Sequence, residues 1–182
     1  MAGCLVLVVG PSGAGKDTLI AAAKAALRGN PRVVFPRRII TRSAVAALED
    51  HESVSVEQFA RMRAAGAFAL DWQAHGLSYG LPATLLTDLR DGRIVVVNGS
   101  RAMVAEAGRR FAELRVLLIE AAPEVRAARL AGRGRETAEE IGRRLAREVA
   151  TPLPGAIRID NSGSLAEATA AFLAALGISG PA

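Results

Sequence analysis

The chain has 182 residues, with 23 Lys or Arg against 18 Asp or Glu, a formal net charge of +5 and a sequence pI of about 10.5. That length suits one domain with a sizeable buried core and room for small inserted lobes. The positive surplus is carried by arginine, since the only lysines are Lys16 and Lys24, and an arginine surplus points to anionic ligands. Aromatic residues make up 4% of the chain and no basic run is interleaved with them, which argues against a nucleic-acid platform. The single Cys4 excludes an intrachain disulfide and reads as a small core residue. No apolar stretch is long enough to span a membrane, and the chain enters a strand directly, without the pattern of a signal peptide. The expectation is a cytoplasmic enzyme with neither nucleic-acid nor membrane partners.

In chain order, the apolar run Leu5 to Val9 predicts a buried strand and Thr18 to Leu27 a helix. Between them stand Gly10-Pro11-Ser12-Gly13-Ala14-Gly15-Lys16-Asp17-Thr18. Strand, glycine loop and helix are the parts of a phosphate-binding P-loop, with glycines at its first and sixth positions and a lysine next. The glycines let successive N–H groups turn toward one centre, and the helix start adds a positive field. Lys16 brings a point charge to the outer phosphates. These nine residues are therefore expected to bind a nucleoside triphosphate. One position departs from the pattern: a Ser or Thr that meets magnesium normally follows the lysine, and here Asp17 does. A carboxylate is a more strongly charged magnesium ligand than a hydroxyl. A negative charge in the first helical turn is also favourable for its own sake, so two readings stand, with magnesium the expected one.

Further along, short Val- and Ile-rich runs predict strands near Val33–Phe35 and at Ile94–Asn98, Val116–Glu120 and Ile157–Asp160. Ser55 before Gln58, Thr137 before Glu140 and Ser164 before Glu167 have capping-box spacing. The alternation predicts an α/β fold with a parallel sheet. Residues 37–82 mix strand-like pieces with one helix, near Val56–Ala65, and read as an inserted lobe. After Gly132, the chain carries Arg133, Arg135, Arg143, Arg144 and Arg147. These form either a solvated helical face or a lid closing on the triphosphate. In the lid reading an arginine is worth ~10³–10⁵ in rate. Many P-loop proteins end a neighbouring strand in a magnesium-binding Asp. Asn98 ends this one, which strengthens the case for Asp17. Arg101 follows at the expected carboxyl edge of the sheet, where ligands bind in open α/β folds.

The loop together with Ile39-Ile40-Thr41-Arg42, Glu49-Asp50, Phe68 to Trp72, His75-Gly76, Tyr79-Gly80 and Arg129 to Gly134 resembles the guanylate kinase scheme over nearly the whole chain. Within that superfamily, Glu49-Asp50-His51-Glu52, Trp72 to Pro82, Val97 to Arg101 and Gly15-Lys16-Asp17 resemble the ribose 1,5-bisphosphate phosphokinases of phosphonate breakdown. The resemblance implies a single P-loop kinase domain with a central parallel five-stranded sheet flanked by helices. Its core would be residues 1–36, 83–129 and 148–182, its acceptor lobe 37–82 and its arginine-rich lid 130–147. It implies transfer of the ATP γ-phosphoryl group to ribose 1,5-bisphosphate, with magnesium, giving 5-phosphoribosyl 1-diphosphate (PRPP). Lys16, Arg133 and Arg144 would be catalytic, and Arg42, His51, Asp71, Tyr79 and Arg101 would hold the acceptor.

Three departures from guanylate kinase bear on the acceptor. Val45 stands where that family has a second phosphate-gripping arginine, His51 where it has a phosphate-binding tyrosine, and Leu81 where a hydroxyl residue reads guanine. A site that loses a polar partner loses discrimination for the base. Asp71 keeps an acidic group in the lobe for ribose hydroxyls. His51 and Tyr79 have plainer readings as a loop histidine and a core aromatic, and His75 reads as a turn residue. The alternatives are a guanylate or other nucleoside monophosphate kinase, and an inactive guanylate kinase-like binding module. Monomer and homodimer both stay open.

Overall fold

The computed structural model describes residues 2–41, 51–74, 76–132 and 153–178. In β1 (Cys4–Val9), Leu5 through Val9 are fully buried, as in a strand covered on both faces. Cys4 itself is only half-buried at the strand's start, so it is not the core residue expected. Helix α1 (Lys16–Ala26) starts two residues earlier than the sequence predicts, because Gly15, at φ 84°, takes the left-handed conformation of its N-cap. There follow β2 (Val33–Val34), β3 (Arg38–Ile40), β4 (His51–Ser53), α2 (Val56–Ala64), β5 (Phe68–Ala74), β6 (Leu77–Pro82) and α3 (Leu85–Arg90). After β7 (Ile94–Asn98) and a 3₁₀ turn at Arg101–Met103 come α4 (Val104–Arg110), β8 (Leu114–Glu120), α5 (Pro123–Ala131) and β9 (Ile157–Asp160), then a last helix, Leu165–Ala175, here α6.

Five strands form one all-parallel sheet in the order β2-β7-β1-β8-β9, which are the five predicted core strands. The other four form a sheet in the order β4-β3-β6-β5, in which β3 and β4 run parallel and β6 runs antiparallel to β3 and β5. The chain separates into two compact units. One contains Gly29–Val97 and Met103–Leu114, the other Leu7–Arg28, Asn98–Ala102 and the residues from Arg115 onward, with the division falling inside β1.

In the first unit, α2 packs on one face of the four-stranded sheet. Phe59 stacks on Phe68 at 4.6 Å between ring centroids, beside Ile39 and Val54. The Phe68 ring occupies the space where a side chain at position 80 would stand: a Cβ on Gly80 would lie 2.5 Å from it. In the second unit, α1 packs against α6, and Leu19, Leu117, Ile119 and Phe172 are fully buried.

Two of the three predicted helix starts lie in described residues. Ser55 accepts from the Gln58 N–H at 3.1 Å. At α6 the full capping box forms: Ser164 Oγ accepts from the Glu167 N–H, and the Glu167 carboxylate accepts from the Ser164 N–H. Thr137 lies outside the described residues. Since α6 supplies Phe172 to the core, losing its cap should be felt globally. Ser164→Ala is expected to cost about 1 kcal/mol, seen as a lower urea midpoint with an unchanged m-value. An unchanged midpoint would show that the box contributes nothing.

Candidate active site

The loop after β1 is shaped by three glycines with positive φ: Gly10 at 150°, Gly13 at 79° and Gly15 at 84°. At all three the surroundings also forbid a side chain, at Gly13 because a Cβ would lie 2.9 Å from the Arg126 carbonyl oxygen. A Cβ on Gly10 would lie 2.1 Å from the Ile119 carbonyl oxygen, and one on Gly15 would lie 2.5 Å from Asn161 Nδ2. The loop's carbonyls turn to side-chain donors. Lys16 Nζ donates to Gly10 O at 2.7 Å and to Pro11 O at 3.0 Å. Arg126 Nε donates to Ser12 O at 3.0 Å, and Asn161 Nδ2 donates to Ala14 O at 2.7 Å. Arg129 makes a longer contact to Ala14 O, 3.4 Å, while its Nη2 donates to Asn161 O at 2.9 Å. These donors come from the first turn of α1, from one side of α5 and from the residue after β9.

Asp17, in the first turn of α1, accepts a hydrogen bond from the Asn98 side chain at the end of β7. The carboxylate that departs from the loop pattern and the amide at the end of the neighbouring strand thus stand together. Among the described residues no group of three or more His, Cys, Asp or Glu side chains forms a closed metal site. Asp17 offers a hard carboxylate oxygen in the first turn of α1. This suits magnesium, which keeps most of its waters and shares phosphate oxygens. Arg101 opens the 3₁₀ turn after β7 and is half-buried. At the end of β9, Asp160 accepts from the Ser162 hydroxyl and N–H, which hold its carboxyl below the usual carboxylate range.

The other predicted contacts belong to the four-stranded sheet, and strand alternation sorts them. Trp72 pairs with Tyr79 and Asp71 with Gly80, so Trp72 and Tyr79 share one face and Asp71 lies on the other. Ile40 pairs with Tyr79, and Arg38 pairs with His51, which puts Arg38 and His51 on the Tyr79 face. Trp72 and Tyr79 stack nearly parallel, 5.2 Å between centroids and 9° between planes. Asp71 turns to the α2 side, where Arg63 Nε meets its carboxylate at 3.0 Å. The structure therefore brings His51 and Tyr79 to one face and does not bring Asp71 there.

His51 is 7% exposed, its backbone oxygen accepts from Arg37 at 2.7 Å, and its Nδ1 is buried with no hydrogen-bond partner among the described residues. Any contact of this ring to a ligand is left to Nε2. Leu81, one of the three departures read from the sequence, is fully buried opposite Leu70. Arg42, Val45, His75, Arg133 and Arg144 lie outside the described residues.

Sequence reasoning did not assign Asn161 or Arg126 to the loop, nor Arg63 to Asp71. A signal existed for the first. Asn161 directly follows a predicted parallel strand, at the carboxyl edge where such sheets place their functional residues. Arg126 and Arg129 have the spacing of one helix face, but nothing in the sequence says which neighbour that face meets.

No family model matches the chain. It is 56% identical over 174 residues to a ribose 1,5-bisphosphate phosphokinase PhnN of Acidiphilium cryptum, covering 96% of this chain and 92% of the relative. It is 50% identical over 173 residues to the protein of the same name from Brucella melitensis, covering 94% and 90%. Its fold matches a crystal structure of guanylate kinase from Anaplasma phagocytophilum with a TM-score of 0.72 at 15% identity, covering 97% of this chain and 85% of that one. At that identity the match concerns the fold alone. With half or more of its residues shared along nearly the full length of these relatives, the chain belongs to the ribose 1,5-bisphosphate phosphokinase family, built on the guanylate kinase fold.

Proposed function

We propose that the chain transfers the γ-phosphoryl group of ATP to the 1-phosphate of ribose 1,5-bisphosphate, forming PRPP in phosphonate breakdown, and that the loop at residues 10–18 holds the triphosphate. The observation that carries the donor side is the glycine loop whose carbonyls are turned onto Lys16, Arg126 and Asn161. The acceptor rests on the name shared by the relatives. It is supported by the fully buried Leu81, which offers no polar group for reading a base.

An acceptor phosphate oxygen attacks the γ-phosphorus. The bond to the β–γ bridging oxygen breaks, and its electron pair leaves with ADP. The nucleophile is already anionic, so no strong general base is required, and catalysis rests on positioning and electrostatics. Both substrates are polyanions whose repulsion must be offset before an oxygen can approach. Loop N–H groups hold the donor phosphates, and Lys16 exchanges its two carbonyl partners for the β- and γ-phosphates. Asp17 would hold magnesium, directly or through water, and that ion supplies charge neutralisation when bound. Asn98 keeps the Asp17 carboxylate oriented. On the acceptor side, His51 through Nε2, Tyr79 and Arg42 hold phosphate, with Arg101 contributing from the end of the parallel sheet. Asp71 is better accounted for as the anchor of α2 through Arg63 than as a substrate ligand. Arg133 and Arg144 are assigned to the transferring group on the resemblance alone.

Phosphorus NMR of the protein with ATP, magnesium and ribose 1,5-bisphosphate should show a growing diphosphate signal that is absent when GMP replaces the sugar. Turnover of GMP alone would make the chain a guanylate kinase and overturn the reading of Leu81. Lys16→Met should lower kcat by about 10²–10³-fold, the range for removing one preorganised donor to developing charge, with little change in the KM for the sugar. Asp17→Ser should shift the magnesium concentration for half-maximal turnover upward, and an unchanged magnesium profile would remove Asp17 from the metal site.

A further inference from the structure

The Ala14 carbonyl is held by a side chain of unusual burial. Asn161 is 3% exposed, and its Nδ2 donates to Ala14 O at 2.7 Å. Its own backbone is fixed on both sides: the N–H donates to Glu120 O at 2.7 Å, and the carbonyl accepts from Arg129 Nη2 at 2.9 Å. The amide nitrogen packs 2.5 Å from where a Gly15 Cβ would stand, directly against the residue before Lys16. A trans peptide is planar, so its C=O and N–H point in opposite directions. Whatever fixes the Ala14 carbonyl therefore aims the Gly15 N–H the other way.

We infer that Asn161 is a positioning residue for the phosphate loop, whose amide locks the Ala14–Gly15 peptide so that the Gly15 N–H faces the donor phosphates. This rests on the reading that the loop holds the triphosphate. Glycine at position 15 makes the lock necessary. A peptide flanked by glycine has many accessible orientations, and one that flips would present a carbonyl oxygen to the phosphates in place of a donor. Arg126 on Ser12 O performs the same service for the Gly13 N–H. Asn161 differs in being uncharged and buried, so a side chain without a donor leaves the Ala14 carbonyl with only the longer Arg129 contact. Among the described residues, the charged groups near it are Arg129 on α5, Asp160 beside it in β9, and Glu120 of β8, which is bonded to Arg158.

The test is calorimetric binding of ATP and of inorganic tripolyphosphate, each with magnesium and without acceptor. The proteins are the full-length chain, Asn161→Leu and Asn161→Asp, from pH 5.5 to 8.5, with each variant expressed as a ratio to the unmodified protein at the same pH. Asn161→Leu should weaken both ligands by a common factor of about 10-fold, within the range for leaving a buried acceptor unmet. Asn161→Asp should be as weak at high pH, where a carboxylate faces the carbonyl, and should recover as the pH falls and its O–H becomes a donor to Ala14. Weakening of ATP with tripolyphosphate untouched would make Asn161 a base contact and overturn the inference. So would binding equal to the unmodified protein, or an Asn161→Asp ratio that is flat with pH. If Asn161→Leu does not fold, the Asn161→Asp pH ratio decides alone. Failure of the unmodified protein to bind either ligand overturns the loop reading itself, a distinct result.

Discussion

A loop that turns its N–H groups toward an anion must turn its carbonyls away from it, and every carbonyl so displaced needs a donor elsewhere. The unit carrying the phosphate loop is organised around that requirement. β1 ends against β8 so closely that only glycine fits at position 10. α5 lays Arg126 and Arg129 along the loop's carbonyl side, and β9 ends where Asn161 can reach Ala14. The parallel sheet brings its strand ends to this one edge. The loop's shape is thus a property of three elements that lie far from it in the chain, although the loop itself is contiguous.

That difference explains what the sequence revealed and what it did not. The loop, the five core strands and the α6 capping box are local patterns whose physics is complete within a few residues, and all were legible. Asp17 and Asn98 were separately noted, and their meeting needed only the assumption that β7 lies beside β1. Asp71 was harder. Whether it shares a face with Tyr79 depends on the register of the β5–β6 pairing, which sets Trp72 opposite Tyr79 and Asp71 opposite Gly80. The acidic position before Trp72 was visible, but its face was not. Arg63 became its partner because α2 covers that side, a tertiary choice with no trace in the local pattern.

On the proposed reaction, what the lobe lacks bears on the acceptor as much as what it offers. With Leu81 packed on Leu70, the β5–β6 hairpin is apolar where a base-reading site needs a hydrogen-bonding group. His51 keeps a buried Nδ1 with no partner among the described residues, a configuration that folded proteins seldom retain without a reason.

The stacked pair on that face has a consequence for observation. Trp72 and Tyr79 are the sole tryptophan and the sole tyrosine of the chain, so the molecule's whole near-ultraviolet signature arises from one 5.2 Å contact and a handful of phenylalanines. Indole emission responds to nearby charge and to the wetting of its ring. The protein therefore carries, without any label, a single-site optical gauge beside Tyr79, insensitive to averaging over other fluorophores.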